Sequence, residues 1–339
     1  IKAASVFDKL NENLKIKQNY NKFFYYGKTW LALETRDSKK NTCKYHGEEA
    51  WLPDNSLWNA KQGIDQFFKS GLIKNFVSNK VIKFKDNYIF THCHTSKKEK
   101  MYGEFDKIYL AAGCLGTSEI IMRSLSISNM IMQDNLTISF PILFYGKNDN
   151  FNAERYASLS NMTIFFQDRC KPSSTFMLSL YPFFDHLIRY YFNKVFWRIL
   201  SWISSLLRKR LIIGRMCLSN EFNNKYNLSL VNDELKIKKL NSKKNKTINS
   251  VLSYFSKQLS KTYFYVPSYL YFKSSSSAHY GSTLCSLSNF KDIDIDGKIL
   301  DNVYAIDSSI FPEMPSTSPT FTIMANACRI VTNSLKNHD

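Results

Sequence analysis

The chain has 339 residues, of which 44% are hydrophobic and 22% charged, a balance that excludes a disordered tail, a collagen and a disulfide miniprotein. A length of this order gives roughly two domains at about 150 residues each. The excess of 46 basic over 28 acidic residues, +18 and mostly lysine, follows either from base-composition bias or from an anionic partner, a lipid surface or a nucleic acid.

Residues 1–58 are polar and aromatic with no clear period. Asp54-Asn55-Ser56 offers caps for a short helix carrying Leu57, Trp58, Ile64, Phe67 and Phe68, which Gly71 would end. Asn75–Phe84 and Asn87–His94 are rich in β-formers around Asp86-Asn87 and predict a hairpin. Phe105–Gly113 predicts a short apolar strand running into small residues, and Thr117 to Leu125 a helix. Residues 136–182 alternate apolar runs with polar breaks, as in an antiparallel sheet.

Residues 186–213 form the longest apolar segment, with Arg189, Asn193, Arg198, Ser201, Ser205 and Arg208 at helical spacing. Its uncharged run, Ile199 to Leu207, is too short for a bilayer, which needs about 20 residues. A basic helix with Trp and Phe lies in a membrane interface or docks on the protein's own core, and both readings stay open. The Lys run 236–246 predicts a solvated loop or edge. Ile248, Val251, Leu252, Phe255 and Leu259 give helical spacing over 248–263. Val303–Ser308 predicts a strand, followed by a Pro-punctuated turn and a helix from Pro319 to about Leu335, apolar enough to predict burial.

The seven cysteines are scattered and no pair forms Cys-x-x-Cys, which predicts free thiols in a reducing compartment. Two motifs suggest metals and fall short. Asp292-Ile-Asp294-Ile-Asp296-Gly297 opens like a calcium loop, but Val303 stands where a bidentate Glu is needed. A hairpin around Asp296-Gly297 is favoured instead. On a strand, His92 and His94 point one way and Cys93 the other, so a plain strand is favoured and no metal site is expected.

Four places carry chemistry. The strand ending in Ala111-Ala112-Gly113 lets a backbone or ligand approach closely, and Thr117 or Ser118 can cap the next helix; many α/β crossovers share this pattern. Asp307 ends an apolar strand, beyond which ligands lie in α/β sheets. Ser318 suits an N-cap and Pro319 the first helical turn, leaving the amides of Thr320, Phe321 and Thr322 at a positive helix end. His279 stands in a Ser-rich loop, as surface polarity or as a base titrating near neutral pH.

Three blocks in order, IYLAAGCLGTSEIIMRS, SSSSAHYGSTL and NVYAIDSSIFPEMPSTSPTFTIMANACRI, resemble the glucose-methanol-choline (GMC) family of FAD-dependent oxidoreductases. The resemblance implies a mixed α/β fold: an incomplete FAD/NAD(P)-binding Rossmann-like domain (59–130 and 279–339), an antiparallel-sheet substrate domain (131–278) and a linking or lid segment (1–58). It implies FAD as cofactor, an alcohol or sugar as small-molecule substrate, and oxidation of its CH–OH group by hydride transfer to flavin N5. His279 matches the family's histidine base. Ser318 stands where the family usually has His or Asn; it can donate one hydrogen bond but is a poor base.

The remaining correspondences concern the cofactor. Asp307, Ser308, Pro319 and Thr320 match positions facing the flavin and its ribityl chain, where a positive helix end favours negative charge on the reduced ring. Val81 matches the position whose backbone meets the adenine, and Gly113 the close approach near the nucleotide. No G-x-G-x-x-G occurs, only Gly113-x-x-Gly116, and the chain begins with Ile. The expectation is a fragment lacking the first βαβ unit and binding FAD weakly or not at all.

His-Tyr-Gly-Ser further resembles a bacterial branch associated with surface polysaccharide. That branch would suit a cytoplasmic protein, peripheral at the inner face of the membrane through 186–213. The alternative is a catalytically impaired GMC-like protein that binds a membrane surface or glycan. Nucleic acid is not expected, because no recognised module appears and the Lys run lacks interleaved aromatics.

Overall fold

The computed structural model describes residues 22–28, 60–93, 98–146, 160, 162–168, 175–182, 210–218, 220–240, 246–259, 264–267, 271–273, 279–287 and 296–336. In chain order the elements are β1 (Lys22–Lys28), α1 (Ala60–Lys69), β2 (Lys80–Lys85), β3 (Tyr88–His92), β4 (Glu99–Tyr102), β5 (Ile108–Leu110), α2 (Gly113–Ser124), β6 (Asn129–Asp134) and β7 (Thr137–Phe144). There follow β8 (Met162–Asp168), β9 (Phe176–Pro182), β10 (Leu211–Leu218), β11 (Asn224–Val231), β12 (Glu234–Lys239), α3 (Lys246–Leu259), β13 (Phe264–Tyr265), β14 (Phe272–Lys273), β15 (Tyr280–Gly281), β16 (Lys298–Leu300), β17 (Val303–Ala305) and α4 (Thr320–Lys336). The fold is mixed α/β, mostly antiparallel, and divides into two compact units.

The first unit takes residues 1–75, 137–218 and 245–274. Its antiparallel sheet runs β1-β8-β9-β10-β7-β13, with β14 also on β7. Period-two alternation puts Ile138, Phe140 and Ile142 of β7 in the core with Met162, Ile164, Phe176, Leu178 and Leu180. Helix α3 covers them with Ile248, Leu252 and Phe255, one helical face and all buried. The Phe255 ring meets Phe140 and Phe176 edge-on, at 6.2 and 6.4 Å. Each large side chain so buried contributes about 1.5–3 kcal/mol.

The end of the helix expected at 186–213 is a strand instead. Leu211–Ile213 open β10, which pairs with β7 on one side and β9 on the other. Three apolar residues, two of them β-branched, suit a central strand better than a helix end. Residues 186–209 lie outside the described residues.

The second unit takes residues 76–136, 219–244 and 275–339. Strands β2, β3 and β4 form a meander, its first turn carried by Asp86 at φ 51°. The turn is the one expected at Asp86-Asn87; the third strand carries no strong β pattern. A second sheet runs β12-β11-β6-β15, and the lysines of β12 are exposed on its edge, as a charge run on an edge should be. A third runs β16-β17-β5, its β17–β5 pair parallel. Strands β16 and β17 turn at Asp301-Asn302; Gly297, at φ 66°, precedes β16. Residues 288–295, which include most of the calcium-like motif, are outside the described residues. Ile108, Leu110, Ile121, Met122, Val303 and Ala305 form the centre of this unit's core.

Helix α4 overturns the expectation of burial. Only Ile330 and Ser334 are buried along it, while Phe321, Met324 and Leu335 are 75%, 44% and 59% exposed. The apolar residues occupy more than one face. Ile323 and Ile330 pack on the core, so the stripe through Phe321, Met324, Ala325 and Cys328 turns outward.

Candidate functional site

All the site residues named from the sequence lie in the second unit, and the fold draws their three blocks together. Strands β5 and β17 pair with Ile108 opposite Val303 and Leu110 opposite Ala305, so both chains leave the sheet at the same end. The first continues through the exposed Ala111-Ala112 into α2 and the second into a 3-10 turn, Ser308–Ile310. Thr117 joins them: its Oγ1 donates to Asp307 Oδ2 at 2.5 Å and accepts from Ala112 N at 3.2 Å. Asp307 Oδ1 accepts from Ser309 N at 2.9 Å and caps the turn. A carboxylate at the α2 N-terminus is also favoured by the helix dipole.

The middle block joins the same cluster. Ser308 Oγ donates to the Tyr280 carbonyl at 2.6 Å, and Ser282 N to the Ser308 carbonyl at 2.9 Å. Ser118 Oγ lies 2.8 Å from Thr283 Oγ1 and 2.6 Å from the Cys114 carbonyl. Cys114 Sγ donates weakly to Thr283 at 3.9 Å. Burial pushes the Cys114 thiol up to about 12, the Asp307 charge adding a little, so this thiol is inert at neutral pH. Gly281 is required by contact: a Cβ there would come 2.2 Å from Met314 Sδ and 2.7 Å from the Ser308 carbonyl.

His279 is half-buried just before β15. Its carbonyl accepts from Asn135 N at 3.4 Å, and Asn135 Nδ2 donates to the Pro315 carbonyl at 2.6 Å. Asn223 Nδ2 donates to the Met314 carbonyl at 3.2 Å and to Gln133 Oε1 at 3.3 Å. Neither asparagine carries a sequence signal; both stand beside β-strands as ordinary turn-formers. Ser318 is exposed, Pro319 buried and Thr320 exposed at the start of α4. Val81 is half-buried on β2, opposite Thr91.

The residues fit a flavin dinucleotide at two places and not at a third. Gly113 is open: at φ 74° it leaves a hypothetical Cβ with nothing within 4 Å. The first turn of α4 presents exposed residues at a helix N-terminus, whose first amides have no intrahelical partner. Asp307 and Ser308, 7% and 6% exposed, already have their side-chain oxygens bonded within the protein. A cleft of about 460 Å³, lined by Lys83, His92, Glu99, Arg123 and Asp233 among others, contains none of the catalytic or cofactor-binding residues named from the sequence.

The sequence matches no protein-family model and no curated protein. In fold it is similar to the formate oxidase of Aspergillus oryzae RIB40, with a TM-score of 0.52 and 10% identity over 77% of this chain and 60% of that one. Pyridoxine 4-oxidase from Mesorbium loti gives 0.46 and 11%, over 76% and 57%. An FAD-dependent oxidoreductase from Chaetomium thermophilum gives 0.46 and 14%, over 76% and 60%. This chain therefore spans about three fifths of the length of these proteins, and at such identities the likeness to formate oxidase shows a shared fold.

Proposed function

We propose that this chain is part of an FAD-dependent oxidoreductase of the GMC type that acts on the CH–OH group of an alcohol or sugar. One observation carries it. The three segments resembling that family are separate in sequence, yet in one unit they bond directly to one another, through the side-chain pairs Thr117–Asp307 and Ser118–Thr283 and from the Ser308 hydroxyl to the Tyr280 carbonyl. The shared fold with formate oxidase supports it.

FAD, when bound, supplies a hydride acceptor at its N5. Gly113 and the amides at Thr320 would hold it through the backbone, with Val81 toward the adenine. Asp307 and Ser308 act one layer behind, fixing the strand ends that carry those contacts. His279 Nε2 takes the substrate hydroxyl proton, and Ser318 donates a hydrogen bond to the same oxygen. In this reading the second unit (76–136, 219–244 and 275–339) is the cofactor domain and the first unit, with its antiparallel sheet, the substrate domain. A glycan substrate at the inner face of a bacterial membrane would suit the amphipathic stretch within 186–213. Among the described residues no helix is long and apolar enough to cross a membrane.

Ser318 favours a second reading, a GMC-like fold that binds a glycan or membrane surface without turnover. The test is a flavin spectrum of the purified intact gene product, because residues 1–339 alone are expected to bind FAD weakly or not at all, followed by anaerobic addition of candidate alcohols and sugars. Bleaching that His279→Ala slows by about 10²–10⁴-fold supports the proposal. Absence of flavin, or equal bleaching in the variant, refutes it; bound flavin that no alcohol bleaches selects the second reading.

A further inference from the structure

We infer that Asn135 is a positioning residue, which locks His279 and the Pro315–Ser318 turn into one geometry. The inference rests on the reading above, in which those two segments face one substrate. Asn135 is fully buried just beyond β6. Its backbone N–H holds the His279 carbonyl at 3.4 Å while its side-chain Nδ2 holds the Pro315 carbonyl at 2.6 Å. One residue thus ties the base-bearing loop to the turn that leads, three residues later, to Ser318.

The chemistry of the position is that of a device with one job. Asn135 Oδ1 is buried and has no partner among the described residues. A buried acceptor in that state costs about 1–3 kcal/mol, which an apolar residue of the same size would avoid. What the amide supplies in return is its donor. Pro315 lies between Pro312 and Pro319 in a segment without regular ladder bonds, so a side-chain donor from outside is one of the few ways to fix its carbonyl. Asn223 makes the matching bond one residue earlier, at Met314; its Oδ1 also accepts from Leu136 N at 3.4 Å, and among the described residues it has no bond to His279. That makes it the control.

The test compares Asn135→Ala with Asn223→Ala in the full chain by NMR, reading amide exchange over Ser316–Thr320 and the ring resonances of His279. Each variant loses a donor to the turn, so both should speed exchange there by about 10-fold or more. Asn135→Ala keeps the backbone bond to the His279 carbonyl and loses the side-chain bond to Pro315, so it uncouples the turn from the His279 loop, and it alone should also move the His279 ring signals. Unmoved His279 signals in Asn135→Ala, or equal movement in Asn223→Ala, overturn the inference. Should Asn135→Ala fail to fold, Asn135→Ser, which keeps a hydroxyl donor too short to reach Pro315, takes its place with the same expectations. None of these measurements needs flavin, so their failure is distinct from that of the oxidoreductase proposal, which a flavin-free gene product would show.

Discussion

Removing the Asp307 carboxylate is the most direct perturbation of the junction between the three blocks. In the folded protein it accepts from Thr117 Oγ1 and from Ser309 N, and it is 7% exposed. Asp307→Ala leaves two buried donors without an acceptor, at about 1–3 kcal/mol each. The Thr117 hydroxyl can rotate and recover part of its share, so about 3 kcal/mol is the expected loss. Asp307→Asn keeps Oδ1 for Ser309, and its Nδ2 can donate to Thr117, whose oxygen has a second lone pair. Its expected loss is about 1 kcal/mol. Thr117→Val strands Asp307 Oδ2 and Ala112 N together, at about 2 kcal/mol by the same reckoning.

Because the chain has two units, the assay should report on this one alone. Native-state hydrogen exchange at Ser309 and Ile306, whose amides bond to Asp307 and to the Leu110 carbonyl, does so. Asp307→Ala should accelerate exchange at Ile306 by about two orders of magnitude in a regime where opening is at equilibrium. The double variant Thr117→Val/Asp307→Ala should lose less than the sum of the singles by about 1 kcal/mol, because both singles break the same bond. A loss below about 0.5 kcal/mol for Asp307→Ala, or strict additivity of the pair, would refute the claim that this contact joins strand ends.

Gly281→Ala should destabilise by about 2 kcal/mol or more, since its Cβ would meet Met314 and the Ser308 carbonyl at 2.2 and 2.7 Å; urea midpoints measure it. Gly113→Ala meets no atoms and suffers only its φ of 74°, about 1 kcal/mol; under the proposed function it should weaken flavin retention by the intact gene product more than stability. The Cys114 thiol is pushed up to about 12 from 9.0 by burial. Between those two values the unfolded chain releases a proton that the folded chain retains, so stability is complete below pH 9.0 and declines as pH rises toward 12. The slope is about 1.4 kcal/mol per pH unit, and Cys114→Val should flatten alkaline denaturation curves by that amount. Thiol labelling gives an independent check, the exposed Cys328 reacting under native conditions and the buried Cys114 only on unfolding.

What the sequence made legible was local. Asp86-Asn87 between β-formers, Gly71 after a helical run and Pro319 at a helix start each dictate their own backbone, and each stands where expected. The Phe255 face of α3 was readable for the same reason, as one stripe at one period. Helix α4 was not, because its apolar residues occupy several faces and composition cannot say which one meets the core. The strand at Leu211–Ile213 was hidden by the apolar segment before it, which extends a helical period into residues that two neighbouring strands then claim. Asn135 was invisible for a different reason: its importance lies in bonding two segments remote in the chain, and no spacing rule encodes that.

The same distinction governs the candidate site. A motif resemblance identifies positions but is silent on which atoms of those residues face a ligand. Asp307 and Ser308 stand where a flavin would be expected, yet their oxygens bond Thr117, Ser309 N and the Tyr280 carbonyl. Gly113 and Thr320 stand exposed and have no comparable tie among the described residues. Under the proposed function, substitutions in the first pair should act mainly through stability, and substitutions in the second mainly through cofactor affinity. Ser308→Ala illustrates the point: losing its bond to Tyr280 should loosen the strand beside His279 and lower the melting temperature, while flavin bound by the surviving folded fraction keeps its affinity. An unchanged melting temperature with weakened flavin binding would instead put Ser308 in direct contact with the cofactor.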